Sequence, residues 1–235
     1  MSARQYVGRE LELFAEAKSW KQYWSSLVLA YLRGDILEVG AGVGTNTPLI
    51  KGAEATSWTC LEPDPKLAAQ MRERFAEDAS LTKCRVQLGT IADLGGDSRF
   101  DAIVYIDVLE HIADDKGELR RASQLLRAGG RLVVLSPAYT WLYTSFDRAI
   151  GHLRRYQKKT LQACGPEDCR LCKIIYLDSA GVLASAANRM FLKQSLPTLR
   201  QILFWDRCLV PISRIADRLI RHTFGKSILA IWIKA

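Results

Sequence analysis

Along the first thirty residues the apolar positions Leu13, Phe14, Ala17, Trp20, Trp24 and Leu27 recur three and four apart. That period predicts a helix over 9–27. Gly34 breaks it, and the pattern then changes character. Asp35–Val39, Ser57–Leu61, Arg85–Leu88, Phe100–Asp107 and Arg131–Ser136 are short, nearly unbroken apolar runs. Such runs are expected of strands buried on both faces. Helical patterns stand between them: a short one from Thr47, one from Pro65 through Leu67, Met71 and Phe75, and one over Glu118–Arg127 that Gly129-Gly130 ends. The second half is less regular. Leu171–Leu177 predicts a sixth strand, 180–193 and 198–222 predict helices that Pro197 and Pro211 start or kink, and Ser227–Lys234 predicts a last strand.

Strands alternating with helices predict an α/β fold with a Rossmann-like, mostly parallel sheet, helices on both faces and a helical insertion before the last strand. The 235 residues are expected to form a single domain. Its parts are an N-terminal helical cap (1–33), a ligand-binding core (34–178), a basic amphipathic helical lid (179–226) and the final strand (227–235). Every motif below falls at the carboxyl end of a strand, where ligands bind in such sheets.

Composition, at 49% apolar and 25% charged residues, argues against disorder. The N-terminus lacks an apolar signal segment, and no run approaches the roughly 18 apolar residues that span a bilayer. A cytoplasmic protein is therefore expected. Six cysteines are then expected to be reduced thiols. Cys164, Cys169 and Cys172 cluster, but nothing around them supports a metal, and none is expected.

Charge changes the picture more. Of a net +8, +6 falls within residues 189–226, where eight Lys/Arg face only Asp206 and Asp217. Such asymmetry fits an anionic acceptor, an acidic membrane surface met through 189–224, or simply a solvated helix face. The apolar stripe of Leu199, Ile202, Leu203, Leu209, Ile212, Ile215, Leu219 and Ile220 is expected mostly to pack on the sheet. Nucleic acid is not an expected partner, because no separate RNA-binding motif or row of aromatics accompanies the charge.

The chemistry begins at Ile36-Leu-Glu-Val-Gly-Ala-Gly-Val-Gly44. Its glycines, Gly40 and Gly42 first, allow a ligand close to the backbone. Thr45 stands where a dinucleotide loop needs its third glycine, and the carboxylate of Glu38 suits a cationic amino group rather than a pyrophosphate. Glu62, after the second strand, can accept two ribose hydroxyls. Thr90 and Ile91, after the third, stand where an adenine ring would lie, although Thr90 reads equally as ordinary loop. Asp107-Val-Leu-Glu-His111 ends the fourth strand. His111 is a candidate general base, or a histidine that holds the next helix.

ILEVGAGVGTNT, LEPDP, GTIADL, YIDVLEHI and LLRAGGRLVVLSP together resemble the ordered motifs of class I S-adenosylmethionine (SAM)-dependent methyltransferases. Within that family they are most similar to the small-molecule branch that includes ubiquinone-type O-methyltransferases. The resemblance implies a seven-stranded sheet with a reversed last hairpin, SAM as cofactor, and SAM contacts at Glu38, Gly40, Gly42, Glu62, Asp64, Ile91 and Asp107. Thr90 departs from the pattern, since many relatives have an acid there.

A second stretch runs from Tyr143 to Tyr156 and includes Asp147-Arg-Ala-Ile-Gly-His-Leu-Arg-Arg-Tyr156. It resembles a methyltransferase subgroup of glycolipid, polysaccharide and natural-product pathways, as does the terminal GKSILAIWIKA. Arg154 and Arg155 are suited to clamp a phosphate or carboxylate, with Tyr143 and Tyr156 beside them. Asp147 and His152 are suited to orient or deprotonate a nucleophile. A buried structural network is the alternative for all of these. The expected reaction is O-methylation of a small-molecule or lipid-linked acceptor. N- or C-methylation, an RNA methyltransferase and a non-catalytic SAM binder are the alternatives.

Overall fold

A computed structural model describes residues 14–187 and 197–235. The start of the predicted first helix, and the stretch holding Arg189 and Lys193, lie outside those residues. Seven strands form one sheet: β1 (Gly34–Val39), β2 (Ala55–Glu62), β3 (Cys84–Leu88), β4 (Phe100–Ile106), β5 (Leu126–Pro137), β6 (Cys169–Leu177) and β7 (Ser227–Lys234). Their order is β3-β2-β1-β4-β5-β7-β6. All pair in parallel except β7, which runs antiparallel to both β5 and β6. After β1 the chain winds outward to β3; β4 restarts on the other side of β1. The crevice at that reversal is where a ligand fits.

Side chains alternate across the sheet, so each strand feeds two cores. Ala102, Val104 and Ile106 join Ile36, Trp58 and Leu229 under α1 (Lys18–Val28) and α2 (Pro65–Glu77). Ile103 and Tyr105 join Leu37, Leu132 and Trp232 under α3 (Asp115–Gln124). Two boundaries differ from expectation. α3 starts earlier because Asp114 caps it, accepting from the Gly117 N–H. β5 starts at Leu126, which pairs with Phe100; a register shift then takes up the Gly129-Gly130 turn that was expected only to end the helix.

Between β6 and β7 lie α4 (Ser179–Ala187), α5 (Leu199–Phe204) and α6 (Val210–Leu219). The predicted break at Pro211 is a π-helical turn over Trp205–Leu209 that runs straight on into α6. A wider turn before Pro211 accommodates its missing N–H without ending the helix. The turn also aims Asp206 at the N-terminus of α1, where its carboxylate accepts from Ser19 N (3.1 Å) and Trp20 N (2.8 Å). Asp217 does the same for α4, accepting from Asp178 N (2.7 Å) and Ser179 N (3.0 Å), and from the Tyr23 hydroxyl (2.8 Å). These acids satisfy helix N–H groups that no local cap reaches. Asp206→Ala is expected to destabilise the protein by about 1–3 kcal/mol, read as a lower urea midpoint, because it leaves buried donors unpaired.

The expected packing of the 198–222 apolar stripe is corrected by α6. Val210, Ser213 and Asp217 face inward, whereas Ile212, Ile215 and Leu219 face solvent. The core claims the polar face because Asp217 and Ser213 are needed there: the Ser213 hydroxyl donates to Asp178 (2.6 Å) and accepts from Ala180 N (3.1 Å). Among the described residues no helix is long and apolar enough to cross a membrane.

Candidate active site

The turn after β1 is tied to β2, since both Gly40 N and Ala41 N donate to Leu61 O. Gly40 and Gly42 have φ of 67° and 60°, backbone that favours glycine. A Cβ on Gly40 would also lie 2.7 Å from the Val108 side chain, so the turn and the loop after β4 pack with no room between them. Glu62 braces the turn from β2: one carboxylate oxygen accepts from Gly42 N (2.8 Å), the other from Asp64 N (2.9 Å). Asp64 in turn caps α2 through Lys66 N and Leu67 N. Ile91 is buried, and Thr90 caps the next short turn with Asp93.

A cavity of about 640 Å³ opens beside this turn. Gly40, Gly42, Thr45 and Asn46 of the turn line it together with Asp107, His111, His152 and Arg155. Its walls are largely aromatic and aliphatic: Phe14, Trp20, Trp24, Phe146, Ile202 and Trp205. Of the residues predicted to hold the cofactor, Gly40, Gly42 and Asp107 line this cavity. Glu62, Asp64, Thr90 and Ile91 follow β2 and β3 on the same edge of the sheet, outside its lining.

Glu38 also lies outside that lining. It is buried beneath the turn, with one oxygen accepting from Thr47 Oγ1 (2.8 Å) and Trp58 Nε1 (3.0 Å). Burial pushes its pKa up against those bonds. It therefore supports the turn from below through that oxygen. Charge reaches the cavity there from Lys21 of α1, whose Nζ donates to Thr45 Oγ1 (3.1 Å). Burial, helped by Arg74, pulls that amine down to about 8. Asp107, at φ 54°, lines the same cavity. Its side chain is open to the cavity, and the protein packed around it pushes its carboxyl up to about 6 against the attraction of His152, Lys226, Arg155 and Lys21.

Asp147 is fully buried and crowded with donors. Its oxygens accept from Arg155 Nε (2.7 Å) and Nη2 (3.0 Å), from Thr144 N (2.8 Å), and from His152 Nδ1 at 2.9 Å. Burial works against ionisation, but the bonds from His152 and Arg155 outweigh it and hold the carboxyl down at about 2. An ionised Asp147 fixes the proton of His152 on Nδ1 and leaves Nε2 as the basic nitrogen. That Nε2 lies 3.6 Å from Glu110 Oε1, a buried oxygen with no hydrogen-bond partner among the described residues. Burial first, and then Asp107, push Glu110 well up. His111 stands edge-on to His152, ring centres 4.7 Å apart, and burial with the His152 charge lowers it to about 4. Glu110, His111 and His152 offer ligand atoms within 4.8 Å of one another, close enough to share a divalent cation.

The acceptor-side expectations divide. Arg155 lines the cavity, but the expected Arg154 and Tyr156 do not. Tyr156 bridges to Ala138 in parallel, so its neighbours alternate in direction as in a strand. Arg155 therefore meets Asp147, while Arg154 and the Tyr156 hydroxyl both reach Asp115 on α3. Tyr143 donates to the His152 backbone carbonyl (2.8 Å), holding that loop rather than a ligand. The cavity takes further charge from Lys226 and Arg200. Lys226 Nζ lies 3.7 Å from the Trp205 ring centre and 3.5 Å from Asp178.

Sequence reasoning missed Lys21, Lys226 and Glu110. Lys21 had left a signal: it continues the Ala17–Trp24–Val28 stripe that faces the core, where a charge needs a reason. Among the cysteines, Cys164 is buried against Asp115 and Cys172 is exposed.

Residues 37–132, from within β1 to within β5, match the family described as a methyltransferase domain. The core of this chain is therefore similar to a methyltransferase domain. That match and the strand order agree with a class I SAM-dependent methyltransferase. Over 98 residues the chain is 35% identical to a ubiquinone biosynthesis O-methyltransferase from Methylocella silvestris, covering 40% of this chain and 36% of that protein. Over 103 residues it is 31% identical to O-methyltransferase cnsE from Penicillium expansum, covering 42% of this chain and 36% of that one. The chain thus matches little more than a third of either relative's length. The fold is shared with geranyl diphosphate C-methyltransferase from Streptomyces coelicolor A3(2), solved with Mg2+, geranyl diphosphate and S-adenosyl-L-homocysteine. The TM-score is 0.66 at 13% identity, over 100% of this chain and 86% of that one. In the matched region the β1 turn and the loop after β4 meet at the switch point of the sheet.

Proposed function

We propose that the chain is a SAM-dependent methyltransferase that O-methylates a small-molecule or lipid-linked acceptor carrying an anionic group. One observation carries the reading: a single cavity joins the glycine turn after β1 to the His152–Asp147 pair. The residues present fit SAM. Gly40 and Gly42 leave the backbone open, Lys21 suits a carboxylate, Asp107 suits a positive charge, and Glu62 keeps lone pairs for hydroxyls beside the turn. When bound, SAM supplies a methyl group already activated on a sulfonium. The residues of the chain then have three tasks. The aromatic walls exclude water and hold the apolar body of the acceptor. Arg155, Lys226 and Arg200 attract its negative charge. His152 Nε2 takes the hydroxyl proton, with Asp147 fixing the ring and stabilising the imidazolium. An oxygen nucleophile is favoured because this base would be idle for a neutral amine. The test is release of S-adenosylhomocysteine from SAM with a panel of hydroxylated amphiphiles, with and without a carboxylate or phosphate. No turnover with any acceptor, despite SAM binding, would favour a non-catalytic SAM binder.

Asp107 gives this reading a pH dependence. Its carboxyl is raised in the free protein, and a cation bound beside it stabilises the anion and lowers its pKa. The complex then holds fewer protons than the free protein over that window. SAM affinity is therefore expected to weaken as pH falls below about 6, with proton release on binding there. Calorimetry in two buffers of different ionisation heat measures both. Asp107→Asn should flatten the profile; a flat profile in the unmodified protein would place the cation elsewhere.

A further inference from the structure

We infer that the outward face of α4–α6 docks on an anionic lipid surface. α6 is an amphipathic helix mounted the opposite way from most. Its buried side holds Ser213 and Asp217, while Ile212, Ile215 and Leu219 are 55%, 67% and 79% exposed. On the wheel these three fall within about a sixth of a turn of one another, nearly opposite the buried pair. Leu183 on α4, and Leu199 and Phe204 on α5, are exposed too. α4 packs directly against α6, and both pack on the π-helical turn that joins α5 to α6. Isolated exposed leucines need no explanation; six large apolar side chains on three adjoining helices do.

The charge around them identifies the occupant. Arg200, Arg207, Arg214, Arg218 and Arg221 are all exposed. None forms an ion pair among the described residues. The segment's two acids, Asp206 and Asp217, are buried as helix caps, so its outer surface is uniformly positive. On α6 the wheel places Arg214 and Arg218 beside the apolar stripe, between it and the protein. Apolar side chains entering the headgroup layer, with arginines at phosphate level, is the arrangement of an interfacial helix. A second copy of this chain is a poor occupant, because two-fold pairing would set one arginine rim against the other. The face also adjoins the cavity. Phe204 and Arg200 belong to both, so a lipid-linked acceptor would move along α5 from bilayer to cavity without crossing water. The docking surface itself does not depend on the proposed reaction and is tested without it.

Flotation of the full chain with phosphatidylcholine vesicles, with and without phosphatidylglycerol, decides the matter. The protein is expected to float with anionic vesicles at low salt and to be released by high salt. Ile215→Asp combined with Leu219→Asp should reduce the partition coefficient at least about tenfold, since two apolar anchors become anions. Arg207→Gln, Arg218→Gln and Arg221→Gln together should reduce it by about a hundredfold. Circular dichroism and SAM affinity should be unchanged in both variants, because none of these residues touches the cavity. Three results would overturn the inference. The protein stays unbound with anionic vesicles at low salt. The aspartate variant binds as well as the parent, leaving the apolar face without a role. Or gel filtration shows a dimer that Ile215→Asp dissociates, which would give the face to a second copy.

Discussion

His152→Gln is expected to lower the turnover number about 10²–10⁴-fold, the usual contribution of a positioned general base, while SAM affinity stays within about twofold. The size follows from how the ring is held. Asp147 is ionised at every working pH, so Nδ1 stays protonated and Nε2 is the nitrogen that can accept. Glutamine fills similar space but cannot take a proton. His111→Gln is expected to cost much less, because a ring held at about 4 is a weak base at neutral pH. Turnover of the His152 variant within about threefold of the parent would remove it from the chemistry and give its network a structural role.

Gly42→Val should weaken SAM binding at least about a hundredfold, near 3 kcal/mol. Two costs combine. A β-branched residue at φ 60° is strained by about 1–2 kcal/mol, and the substituted position is part of the cavity lining. Displacing Gly42 N also releases Glu62, which braces the turn. Gly96→Val is the control, because a Cβ there meets nothing within 4 Å. Calorimetry on the two variants separates a blocked site from a damaged fold. Parent-like affinity in Gly42→Val would mean that SAM does not bind at this turn.

What could be read from the sequence was whatever depends on neighbours along the chain. Strands β1 and β4 were visible because burial on both faces makes them apolar runs, and the glycine turn because its backbone demand is local. His152 and Asp147 were legible as a pair, being close in sequence. Their neighbours were harder. Arg154, Arg155 and Tyr156 look alike as a polar cluster. A single bridge to Ala138 sends the middle residue toward the cavity and the outer two toward Asp115. The partners of Glu38 were hidden for a related reason: Trp58 and Thr47 reach one of its oxygens from a strand and a turn that sequence spacing does not rank. α6 failed most fully. Periodicity finds an apolar face but assumes that it is the buried one. Here the N-terminus of α4 and Tyr23 needed Asp217, so the polar face turned inward.

The position of β7 has a consequence for how the chain assembles. It is the last strand of the sheet in sequence, yet it lies between β5 and β6 and supplies every backbone partner that joins them. Until residues 227–234 have left the ribosome, β5 has an open edge and β6 has no neighbour. The parallel half can form early, since its crossovers are short-range. The closing half must wait for a contact of long sequence separation, which slows folding and leaves an unpaired edge exposed meanwhile. Released chains truncated just before Ser227 should therefore be held by chaperones or aggregate, whereas chains that include β7 through Lys234 should resist protease.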